Sequence, residues 1–269
     1  MSVKMCKIIE AIEAVAPPQL AEAWDNIGLL VGYKDVEIST ALIALDITDA
    51  VIDEALAIDA NAVITHHPVI FKPINRINDG TAAGRRLLRL IENRICVFSA
   101  HTNLDVVEGG INDILFDALG LTEKESICET MPGVFAGRAG ILAESLKLSE
   151  FAKHVQRCLG LDAARFCGDL DAPVGKVGLV AGSAANESFF AGAISAGCTT
   201  FVTSDIKFSA AQAALDMGLN LVDATHFGSE NIFAENLKGR LSAVLPQCNF
   251  VVSNINGQVF NTTGVIMEG

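Results

Sequence analysis

Four of the five histidines in this chain, His66, His67, His101 and His226, fall just after apolar stretches that read as β-strands. Two of them are followed four residues later by an acid, as His101-x-x-x-Asp105 and His226-x-x-x-Glu230, so one helical turn can aim an imidazole and a carboxylate at one point. The adjacent pair His66-His67 can send its rings to different sides of a strand end, so that each holds a different ion of a close metal pair. A carboxylate can bridge two divalent cations and a neutral imidazole cannot, which makes Asp105 or Glu230 the natural bridge. Taken singly, each His–acid pair could equally be a polar helix start, and His66-His67 two hydrogen-bonded loop residues. The concentration of four histidines at strand ends favours metal chemistry.

Ligands that mix imidazole nitrogen with carboxylate oxygen suit zinc, iron, manganese, cobalt or nickel, and no cysteine joins the pattern to mark a structural zinc. The seven cysteines include no C-x-x-C pair, and several lie in apolar runs such as RICVFSA around Cys96. They are expected to be buried, reduced thiols of a cytoplasmic protein. A formal charge of −13 and a pI near 4.7 argue against general nucleic-acid affinity. No run reaches the roughly 18 apolar residues of a membrane span, and the N-terminus reads as an amphipathic helix rather than a signal peptide.

These side chains need a scaffold that brings strand ends together. Strands at 39–48, 61–71 and 95–101 alternate with helices at 49–60, 81–93 and 110–120. Further on, strands at 176–183, 199–205 and 219–226 alternate with helices at 187–197, 208–217 and 229–243. This rhythm predicts an α/β fold of two related halves with mainly parallel sheets, and open α/β sheets place ligands beyond the carboxyl ends of their strands. The expected boundaries are a first half at 1–124, an irregular connecting segment at 125–175, read as strands at the sheet edge or a small excursion with a helix near 149–159, and a second half at 176–269, together one compact unit with the metal site between the halves. The halves also share a pattern: SAHTNLD (99–105) matches ATHFGSE (224–230), and AVITHHPVIF (62–71) matches TFVTSDIKFS (200–209).

Through WDNIGLLVG (24–32), VITHHPVIF (63–71), SAHTNLDVVEGGIND (99–113), FVTSDIKFSAAQAA (201–214) and LVDATHFGSEN (221–231), the chain resembles the dinuclear-metal family of GTP cyclohydrolase 1 type 2 homologues, also called the Ngg-interacting-factor-three-like family. The resemblance implies two divalent metal ions per subunit, held by His66, His67, Asp105, His226 and Glu230. It also implies a hexameric ring of subunits. His101 matches a position beside the metals, with a proton-transfer or substrate-contact role. Two departures stand out: TSDIKFS carries Ser204 and Ser209 where many members show the Gly and His of T-G-D-x-K-Y-H, and AGSAAN (181–186) lacks the fuller glycine run.

The function expected from this is a dinuclear metal-dependent hydrolase of a small molecule, with a nucleotide as the class the family name suggests and with His101 or Asp25 handling protons. The alternative is a metal-binding or regulatory scaffold without turnover, to which Ser209 lends support. No G-x-x-x-x-G-K-[ST] phosphate loop and no G-x-S-x-G elbow is present. Lys72, Arg76, Arg85 and Arg86 either reach phosphates or are ordinary surface charge. Trp24, Asp25 and Asn26 belong either near the site mouth or a subunit contact, or in a capping turn with Trp24 in the core.

Overall fold

The computed structural model of the chain describes residues 1–263. In chain order its elements begin β1 (Val3–Lys4), α1 (Met5–Val15), β2 (Gly28–Val31), β3 (Glu37–Ile38), β4 (Thr40–Ala44), α2 (Asp49–Ala57), β5 (Ala62–Thr65), α3 (Ala82–Glu92), β6 (Cys96–Ser99) and α4 (Thr102–Val106). There follow α5 (Ile111–Ala118), β7 (Leu121–Met131), β8 (Val134–Leu142), α6 (Leu148–Cys158), β9 (Arg165–Cys167), β10 (Lys176–Leu179), α7 (Glu187–Ser195), β11 (Cys198–Thr203), α8 (Phe208–Asp216), β12 (Asn220–Asp223) and α9 (His226–Glu230). The chain then forms α10 (Phe233–Val244) and β13 (Asn249–Val252). Two units divide these elements: Met1–Val107 with Phe233–Gly257, and Glu108–Ile232 with the residues from Gln258 onward.

The first unit is built on a five-stranded sheet ordered β13-β4-β5-β6-β2, in which only the β2–β6 pairing is antiparallel. Every residue of β5 (AVIT) and β6 (CVFS) is buried, the signature of parallel strands covered on both faces. Leu42, Val63 and Val97 from three strands pack with Ile52 of α2 and Leu87 and Leu90 of α3. Helix starts follow local chemistry: Thr48 Oγ1 accepts from Val51 N–H at 3.1 Å and Thr81 Oγ1 from Gly84 N–H at 3.0 Å, each satisfying a first-turn amide.

The second unit holds a six-stranded sheet, β7-β8-β10-β11-β12-β9, with Phe190, Phe201, Leu219 and Leu221 at its core. Its three central strands run parallel, and β8 and β9 flank them antiparallel. The order β10-β11-β12-β9 therefore repeats β4-β5-β6-β2 in both sequence and sense, three parallel strands closed by an antiparallel edge. This is the structural form of the internal match between 62–71 and 200–209 and between 99–105 and 224–230.

The segment 125–175, expected as a connection made of edge strands or a small excursion with a helix near 149–159, does form edge strands and a helix. It carries most of the β7–β8 hairpin, α6 and β9, which supply both edges of the second sheet. The strand β7 buries only Leu121 and Ile127 of its 11 residues, so it lacks the alternation that reveals a strand. The expected boundaries at 124 and 175 differ from the two units, because α10 and β13 return to the first sheet, where β13 pairs with β4. All seven cysteines are free; Cys96, Cys198 and Cys248 are buried, while Cys158 is exposed. Among the described residues no helix is long and apolar enough to cross a membrane.

Candidate metal centre

In the first unit two strand ends deliver one cluster. His66 and His67 follow β5 directly, and His101 lies two residues beyond β6, where it caps α4. Their ligand nitrogens all lie within 4.8 Å of one another, a set able to hold a metal ion. Asp105, one turn into α4, turns the same way as His101, and its Oδ1 stands 3.5 Å from Nε2 of the fully buried His66.

Each of these imidazoles is fixed from behind. His66 Nδ1 bonds the Ala100 carbonyl at 2.9 Å, His67 Nδ1 the Asp46 carboxylate at 2.8 Å and His101 Nδ1 the Asp25 carboxylate at 2.8 Å. A carbonyl or carboxylate only accepts, so in each case Nδ1 is the protonated nitrogen and Nε2 is left with a lone pair, the form in which histidine binds metal. Asp25 is itself set firmly: its Oδ2 accepts from Thr102 N–H at 3.1 Å and Thr102 Oγ1–H at 2.6 Å. Burial acts to raise its pKa, but His101 and Thr102 together outweigh it and hold the carboxyl down to about 2. Asp25 is therefore held as a carboxylate, and its Oδ1 fixes the orientation of the His101 ring.

The second unit repeats this device. His226 opens α9 one turn before the buried Glu230, and its Nε2 lies 3.0 Å from Glu230 Oε2. Its Nδ1 bonds Asp205 Oδ2 at 2.7 Å, the acid that follows β11. Burial, the largest single influence, works against protonation of His226, yet Glu230 and Asp205 together raise it to about 9. Two carboxylates closing on one imidazole call for a positive charge, and a divalent ion meets that demand as the extra proton does.

Gly182, after β10, makes room for Glu230. Its φ is +68°, its N–H donates to Ser229 Oγ at 3.0 Å, and a Cβ built on it would overlap the Glu230 carboxylate. The expected result for Gly182→Ala is a protein that keeps its circular dichroism spectrum but loses bound metal, at a stability cost of about 1–2 kcal/mol for the left-handed backbone. Elemental analysis checks it; an undiminished metal load would show that the Glu230 carboxylate does not contribute a ligand.

The structure thus brings His66, His67, His101 and Asp105 together in one unit and His226 with Glu230 in the other. Their nitrogen and oxygen donors fit a divalent transition metal, and no cysteine belongs to either group. Asp46 and Asp205 were not singled out from sequence; each follows a strand that only the structure shows to lie beside the histidine-bearing one. Trp24 is 59% exposed, with its ring 6.0 Å from His101 and 5.8 Å from Phe71, so it stands beside His101 and outside the core. Ser204 is fully buried beside Gly182, and its hydroxyl has no hydrogen-bond partner among the described residues; Ser209 is exposed on α8. Arg86 is held in a surface network with Asp49, which Arg89 also pairs, whereas Lys72 and Arg76 are exposed on the loop after Phe71.

Sequence comparison places this geometry among known proteins. The profile of the family described as Duf34/NIF3 (NGG1p interacting factor 3) matches residues 3–258. A GTP cyclohydrolase 1 type 2 homolog of Clostridium perfringens is 36% identical over 231 residues, covering 84% of this chain and 87% of that protein. A second, from Clostridium acetobutylicum, is 33% identical over 263 residues, covering 95% and 97%. Among solved structures, a Bacillus cereus protein related to NIF3 superposes with a TM-score of 0.90 at 24% identity, covering 97% of this chain and 99% of that one, a likeness of fold.

Proposed function

This chain belongs to the Duf34/NIF3 (NGG1p interacting factor 3) family, and from that premise we propose that it is a hydrolase of small molecules working with two divalent ions per subunit. His66, His67, Asp105, His226 and Glu230 are the proposed ligands. The observation that carries the reading is the shared construction of the ligand histidines: His66 and His67 are each bonded at Nδ1 to a fixed acceptor that leaves Nε2 to ligate, and His226 is bonded at Nδ1 to Asp205 with Nε2 turned to Glu230. Such ions, when bound, lower the pKa of water from 15.7 toward about 7 and stabilise negative charge that develops on the substrate.

The chain's own residues do the rest. Asp46 and Asp205 hold the rings of His67 and His226 in one tautomer and orientation, and Glu230 supplies the charge that neutral imidazoles cannot. His101 is the proposed proton carrier: Asp25 keeps its Nδ1 protonated, and its Nε2 faces the space shared with His66 and His67. The relatives' name, GTP cyclohydrolase 1 type 2 homolog, makes a nucleotide the first substrate class to try, with hydrolytic opening of the purine imidazole ring as the reaction. The reading includes a cytoplasmic homo-oligomer, a hexamer by resemblance.

The test is metal content by elemental analysis of untagged protein, followed by incubation with GTP, other nucleotides and phosphoesters while purine absorbance and phosphate release are recorded. About two ions per subunit, with turnover that a chelator abolishes, is the expected outcome. Bound metal with no turnover of any compound would favour the second reading, a metal-binding scaffold, for which Ser209 in place of the histidine common in the family is the supporting feature.

A further inference from the structure

Lys207 and Phe208 take no part in the ligand groups, yet with β9 they line a cavity of about 270 Å³ in the second unit. Its walls include Arg165 and Phe166 of β9, Ile206 from the loop after β11, and Asp223 at the end of β12. Arg165 and Asp223 face each other in the antiparallel β9–β12 register and form an ion pair at 2.5 Å. The buried Asp223 also accepts from Thr225 N–H at 3.0 Å, so its charge is answered within the wall. Arg165, by contrast, is 76% exposed along its side chain, and most of its guanidinium donors remain available. The Lys207 ammonium makes no ion pair among the described residues, and Phe208 is 80% exposed.

A net-positive lining is conspicuous in a chain of formal charge −13, and an exposed large ring beside two cations needs a partner of matching chemistry. We propose that this cavity binds a small ring compound bearing one anionic group, the ring lying against Phe166 and Phe208 and the anion on Lys207 and Arg165. Its volume falls just under the roughly 300–1,000 Å³ of sites for drug-sized ligands, which suits one ring with one phosphate or carboxylate and excludes a whole nucleoside triphosphate. Lys207 lies two residues beyond Asp205, which holds His226, and Asp223 fixes Thr225, which precedes His226. The cavity wall thus adjoins, along the chain, the segments that position His226, and its proposed role is to hold part of a substrate of the His226–Glu230 group. That catalytic meaning rests on the hydrolase reading; the binding itself does not.

Phenyl phosphate, phenol and inorganic phosphate, titrated calorimetrically into the metal-loaded full chain, test this, with metal content measured on the same samples. Lys207 and Phe208 are exposed, so Lys207→Gln, Lys207→Arg and Phe208→Ala are compatible with the fold. Phenyl phosphate is expected to bind about tenfold more tightly than either fragment. Lys207→Gln and Phe208→Ala should each weaken it about tenfold, Lys207→Arg should preserve it, and metal content should not change. No binding to the parent chain, equal affinity for phenyl phosphate and phosphate, or affinity untouched by both weakening substitutions would overturn the proposal, the last by assigning the anion to the metal ligands. Binding that follows the expected pattern in protein that takes up no metal would support the cavity and remove the hydrolase reading instead.

Discussion

Glu230→Gln is expected to lower metal affinity by at least about 100-fold and to abolish metal-dependent turnover, with the fold unchanged. Glu230 is 4% exposed and its Oε2 lies 3.0 Å from His226 Nε2. Glutamine keeps the shape of the side chain, so the space beside Gly182 stays filled, and only the charge is lost. With that charge gone, an ion at His226 would be left to imidazole and the more distant compensation of Asp205, a large loss in a buried site. Removing the carboxylate also removes the chief support for the proton affinity of His226, which Glu230 and Asp205 together raise to about 9. The measurement pairs elemental analysis with NMR titration of the His226 ring. Full metal occupancy in Glu230→Gln would sink the assignment of Glu230 as a ligand; an unchanged His226 titration would show that the short contact does not persist in solution.

His101→Gln is expected to retain its metal and lose turnover by about 10²- to 10⁴-fold, the range for removing a general acid or base. The geometry makes this a sharp test, because His101 stands as close to His66 and His67 as a ligand would. A ligand role predicts loss of metal on substitution. A proton-carrying role predicts that kcat falls while metal content and KM hold. Asp25→Asn should show a milder form of the same effect, since the amide can offer His101 Nδ1 a donor and so favour the wrong tautomer. The two readings separate when metal content and kcat are determined on one preparation of each variant. A fall in metal that tracks the fall in kcat would move His101 into the ligand set and leave the proton step without a carrier.

Much of this was legible in the chain itself. The fully buried runs AVIT and CVFS announce parallel strands, and histidines placed directly after them announce a site at strand ends. The four-residue spacing of His226 and Glu230 fixes their meeting because a helical turn is a local, invariant geometry. The internal match of 99–105 with 224–230 pointed to two related halves for the same reason: it is written in consecutive residues.

What only the tertiary structure decided was pairing across distance. Asp46 and Asp205 gained their roles because β4 lies beside β5 and β11 beside β12, a matter of strand order that no local pattern encodes. Asp25 reaches His101 over 76 residues, and Gly182 makes room for a side chain 48 positions away. The largely exposed strand β7 and the return of β13 to β4 were settled by sheet pairing, whose hydrogen bonds join backbones irrespective of side-chain type. Residue type and short spacing thus singled out the candidate donors, whereas the fold alone decided which acids hold them, because those contacts depend on how distant strands are ordered.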